Sequence, residues 1–172
     1  MKRSRATRGF SLLEVIIAVG LFATAVTVVI GLIAGHSRQG AEANDVLAAQ
    51  RLPEPLRVEL SRLAATGLDG LAGRVPVMAS PLTSGLAFTS VRDAARVASL
   101  EYQPSPDPIP AAEQYYLMEC WKFSTEPLRF DGQKAFLALY VRVSWPYRLP
   151  GAAAPTALAD RSQLSFTLSL NR

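Results

Sequence analysis

Val15 to Gly35 reads VIIAVGLFATAVTVVIGLIAG, 21 residues without a charge. At about 1.5 Å of rise per residue, a helix of this length is roughly 31 Å long, close to the hydrocarbon thickness of a bilayer. Val, Ile and Gly are indifferent helix formers in water. In lipid the helix is favoured regardless, because it satisfies each backbone group within the segment. A core helix buried in a globular domain is the competing reading, but such helices usually keep a polar face, and this stretch has none.

On the N-terminal side stand Lys2, Arg3, Arg5 and Arg8, with no acid among residues 1–9. The chain has 172 residues, 18 basic and 14 acidic, a formal charge of +4 and a sequence pI of about 9.6. Without those four cations, 14 basic residues face 14 acidic ones. The basic excess therefore sits wholly in the leader, and nucleic acid is not expected as a partner. The same asymmetry places the N-terminus in the cytoplasm and residues 36–172 across the inner membrane. An apolar content of 49% and a charged content of 19% exclude wholesale disorder. One cysteine and one histidine exclude an internal disulfide and a Cys/His zinc site.

Between leader and span, residues 8–15 read Arg-Gly-Phe-Ser-Leu-Leu-Glu-Val. A carboxylate at the edge of a span is costly and usually has a partner; alternatively, Glu14 simply reaches the interface. The whole arrangement resembles the signal of type IV pilins and type II secretion pseudopilins: cationic leader, Gly9, Phe10, Glu14 as the fifth residue after Gly9, then about 20 apolar residues. The resemblance covers roughly residues 1–35. It implies cleavage by prepilin peptidase between Gly9 and Phe10, N-methylation of Phe10, and retention of the helix in the membrane. It further implies that Glu14 pairs with the terminal amine of a neighbouring subunit during filament assembly. The implied partners are other pilin or pseudopilin subunits. An ordinary signal peptide cut near Ala34 and Gly35 is the weaker alternative.

The implied organisation is a leader (1–9), a transmembrane assembly helix (10–35), its continuation with a proline kink (36–65), and a periplasmic α+β domain (66–172). The residues fit that plan. Leu56, Leu60, Leu63 and Ala64 fall on one helical face, with Arg57, Glu59 and Arg62 expected on the other. Pro53 and Pro55 should break the helix, or Pro55 could open a new one. Residues 66–85, rich in Gly, Pro, Ser and Thr, read as loop, with a short strand possible at Val75 and Val77. Strands are expected at 86–91, 97–102, 115–124, 135–145 and around 164–170, separated by a proline-rich loop at 103–113 and an Ala/Pro/Gly loop at 148–160. The fold class is α+β and pilin-like: a long N-terminal helix packed on an antiparallel sheet of about four or five strands.

No catalytic set is expected, and no metal or cofactor. Cys120 reads as a buried thiol, with an intermolecular disulfide as the alternative. Tyr115, Tyr116, Trp121 and Phe123 read as core. Asp107 and Asp131 could ligate calcium, but two isolated acids are too few. His36 needs no function. The expected role is structural and non-enzymatic, as a minor pilin or pseudopilin; irregular strands and proline-rich loops favour a minor subunit. The alternative is a periplasmic binding or enzymatic domain on an uncleaved anchor.

Overall fold

The computed structural model describes residues 11–101, 105–152 and 154–171, and within its first helix the side chains of all but residues 34, 37 and 38. Two compact units emerge, Met1–Asn44 and Asp45–Arg172.

The first unit contains most of helix α1, Leu12–Ala49. Residues Leu12–Ile33 form a stretch long and apolar enough to cross a membrane, and none of it is buried within the protein. Gly20 and Gly31 lie within it and do not interrupt the helix. The hydroxyls of Thr24 and Thr27 donate to the carbonyls of Gly20 (2.8 Å) and Ala23 (2.9 Å) one turn back. Each thus satisfies its polar atom within its own helix.

In the second unit, a turn at Gln50–Leu52 separates the end of α1 from α2, Pro53–Leu63. Pro53 sits in the first turn of α2, where its missing N–H costs nothing. Leu56, Leu60 and Leu63 are fully buried, as their spacing requires. Glu59 departs from expectation: it is only 7% exposed and lies on the covered face. The expected loop at 66–85 is also corrected, because residues Leu68–Arg74 form a helix, α3. Gly70 and Gly73 disfavour it locally. Burial of Leu68, Leu71 and Ala72 in the core overrides that preference. Pro76–Met78 then pairs with the end of a strand through a single parallel bridge, Val77 to Lys122, in place of a strand at Val75 and Val77.

Five antiparallel strands follow: β1 Leu86–Ser90, β2 Val97–Ser99, β3 Tyr116–Lys122, β4 Phe136–Trp145 and β5 Ser162–Asn171. Their spatial order is β2-β1-β3-β4-β5, so β3 is central. Tyr102, expected at the end of β2, lies outside the described residues. β4 ends at Trp145, before Pro146. Its odd residues from Leu137 to Trp145 are buried, whereas Ala135 precedes the strand and is exposed. α2 contacts both edge strands, β2 and β5, and α3 contacts β4. The helix laid across the sheet within this unit is therefore α2, joined by α3. Its leucines meet Phe88, Tyr116, Met118, Leu139, Val141 and Leu168 in one core.

The reverse face is covered in part, around the middle of the sheet. Trp121 is fully buried there and donates its indole N–H to the Thr83 carbonyl at 3.1 Å. A Cβ on Gly85 would lie 2.9 Å from both the Cys120 carbonyl oxygen and Trp121 Cε2. Glycine is needed at that approach.

Candidate functional site

The site implied by the sequence is the start of α1. Gly9 and Phe10 lie outside the described residues. Ser11 immediately precedes the helix, and its hydroxyl oxygen accepts the backbone N–H of Glu14 at 3.2 Å. Ser-Leu-Leu-Glu is thus an N-cap with glutamate at the third helical position, where a carboxylate also complements the positive end of the helix dipole. Ser11 has no role in the sequence expectation, although the Ser-x-x-Glu spacing carries the signal. Glu14 is exposed, and the apolar run begins immediately after it. His36 is exposed in the same helix.

The second unit holds a polar node built on Asp45, which is 8% exposed. Arg92 grips the carboxylate with two bonds, from Nε at 2.9 Å and Nη2 at 3.1 Å. The Tyr115 hydroxyl donates to the same carboxylate at 2.6 Å, and the Tyr116 hydroxyl donates to the Asp45 carbonyl at 2.8 Å. The guanidinium of Arg92 also lies 4.9 Å from the Tyr115 ring centre. Burial, then the bond to Asp45, pushes the Tyr115 hydroxyl up to about 12. Burial raises Tyr116 as well, so both phenols stay neutral donors. Bidentate pairing and low exposure of the acid set this node apart from an ordinary surface ion pair. It fixes the last turn of α1, from Asp45 on, to β3 and to the β1–β2 connection. Beside it opens a cleft of about 600 Å³ lined by Val91, Arg92, Gln114, Tyr115, Leu149 and Pro150, among others.

A second node surrounds Glu59. Arg62 donates to it from Nε at 2.8 Å and Nη2 at 2.9 Å; Ser99 N–H donates from β2 at 3.4 Å, and the Ser105 hydroxyl donates from the proline-rich loop. Burial alone would raise this carboxyl, but the bonds from Arg62, Ser105 and Ser99 hold it below its ordinary 4.5. These contacts explain why the glutamate faces inward.

The remaining candidates resolve into structure. Cys120 is a free, fully buried thiol on β3, pushed well up by burial and by neighbouring Glu119. Tyr116 and Trp121 are core residues, while Tyr115 and Phe123 are half-buried. Asp107 pairs with Arg96 at 2.7 Å, and Asp131 accepts the N–H groups of Gln133 and Lys134. Among the described residues, no group of three or more His, Cys, Asp or Glu could hold a metal ion.

Comparison with known protein families, with curated proteins and with solved structures finds no match. An apolar N-terminal helix followed by a five-stranded antiparallel sheet agrees with a pilin-like fold in outline.

Proposed function

We propose that this chain is a structural, non-enzymatic subunit of a pilin-like filament, a minor pilin or pseudopilin of a type II secretion or type IV pilus-like system. Prepilin peptidase removes residues 1–9 and methylates the amine of Phe10. The subunit waits in the inner membrane with its C-terminal domain in the periplasm, then joins other pilin-like subunits. The observation carrying this reading is one N-terminal arrangement: Gly9-Phe10, a capped helix start with Glu14 at its third position, and the exposed apolar stretch Leu12–Ile33. Two opposite charges among apolar helices tolerate each other where one alone would not. Glu14 and the Phe10 amine of a neighbour thus set axial register.

The intact mass and N-terminal sequence of the mature protein, produced together with a prepilin peptidase, test the proposal. The expected product begins at N-methylated Phe10. An intact Met1, or a start near His36, overturns it. A retained Met1 would favour a tethered binding domain, for which the cleft beside Arg92 and Tyr115 is the supporting observation.

A further inference from the structure

The two edges of the sheet are unlike. β2 is three residues long, with Arg96 directly before it. So short an edge strand resists pairing with other chains. β5 is ten residues long, Ser-Gln-Leu-Ser-Phe-Thr-Leu-Ser-Leu-Asn, without charge, proline or glycine. It pairs with β4 in unbroken register, from Phe136 opposite Asn171 to Trp145 opposite Ser162, with no bulge to bend it away. Between Ser162 and Asn171 no charge, proline or bulge blunts this edge, so its outer row of backbone groups is a template for another strand.

The sequence of β5 indicates which strand. Read outward from Thr167, it is symmetric in residue class: Phe166 and Leu168, Ser165 and Ser169, Leu164 and Leu170, Gln163 and Asn171. Antiparallel self-pairing about Thr167 sets hydroxyl against hydroxyl, amide against amide and apolar against apolar in all nine positions. A strand that pairs with itself also meets its own charges, and like charges opposite one another are destabilising. β5 has none.

Burial along the strand agrees. Leu168 and Leu170 are 2% and 4% exposed, and the α2–α3 connection, at Ala64 and Leu68, lies beside Leu170 and Asn171. Leu164 and Phe166, on the same face, are only half-buried. A two-fold axis at Thr167 brings the half-covered end of one strand beside the helix-covered end of the other. We propose that β5 pairs antiparallel with β5 of a second copy of this chain, centred on Thr167, to make one ten-stranded sheet. This inference concerns the second unit and does not depend on the filament reading.

Single cysteines test it in the full-length chain, purified in detergent micelles and oxidised mildly. Residues directly opposite have Cβ atoms about 4.5–5.5 Å apart, so Thr167→Cys should move from monomer to dimer on a non-reducing gel. Ser165→Cys should remain monomeric, because two copies of that residue would stand roughly 14 Å apart along the strands. Combining Ser165→Cys with Ser169→Cys should restore the dimer. The wild type, whose one thiol is buried, is the blank. These positions are exposed, so the fold should tolerate the changes. Equal cross-linking of Thr167→Cys and Ser165→Cys, no dimer from Thr167→Cys, or its cross-linking only to a different protein would each overturn the pairing.

Discussion

Glu59 is three residues after Leu56 and four before Leu63, so helical phase alone places it on the covered stripe of α2. Its charge, between Arg57 and Arg62, points instead to the opposite face. Phase prevails because Arg62, Ser99 and Ser105 satisfy both carboxylate oxygens in place. The folded carboxyl is held below 4.5, so the ionised form favours the folded state. That contribution is present above the ordinary glutamate value and is lost as pH falls through the folded one. Thermal unfolding from pH 7 to pH 3 should therefore show a wild-type acid loss that Glu59→Gln reduces. At neutral pH, Glu59→Gln should cost about 1–3 kcal/mol, because a charge-assisted acceptor is replaced by an amide that cannot serve every donor. An unchanged acid profile would remove Glu59 from the account.

Along α2, two apolar residues two positions apart have different fates. Leu60 is fully buried and Val58 is 70% exposed. Leu60→Ala should cost about 2–5 kcal/mol in denaturant unfolding, from lost burial and the cavity left behind. Val58→Ala should stay within roughly 0.5 kcal/mol. Equal losses would mean that α2 does not lie on the sheet through its leucine face. The contrast also marks what the sequence could reveal. α1, α2, β3, β4 and β5 carry a period or a long apolar run, so each was legible. α3 was not, because Leu-Asp-Gly-Leu-Ala-Gly-Arg has helical spacing in only Leu68, Leu71 and Ala72, and its two glycines signal a turn. Tertiary burial decided that element. The Asp45 node was likewise out of reach, since its members come from residues 45, 92, 115 and 116 and only folding brings them together.

Across the whole molecule, charge and burial divide along the chain. Residues 1–9 carry the basic excess, Leu12–Ile33 offers apolar surface, and the second unit has its own core. Glu14 is the one charged residue of that apolar stretch, close to its start. Because Ser11 binds the backbone of residue 14, Glu14→Ala keeps that helix-starting bond. On the proposed function, this variant should be cleaved as the wild type is, yet should enter sheared filaments at least several-fold less, as immunoblots of cell and filament fractions would show. Wild-type incorporation would discard the pairing role of Glu14. A different consequence follows from Cys120, the chain's one thiol, enclosed in the middle strand of the sheet. An alkylating reagent reaches its sulfur only in molecules whose sheet has opened. The native cysteine is thus a built-in clock: its labelling half-life reports how often the centre of this protein comes apart, with no probe added.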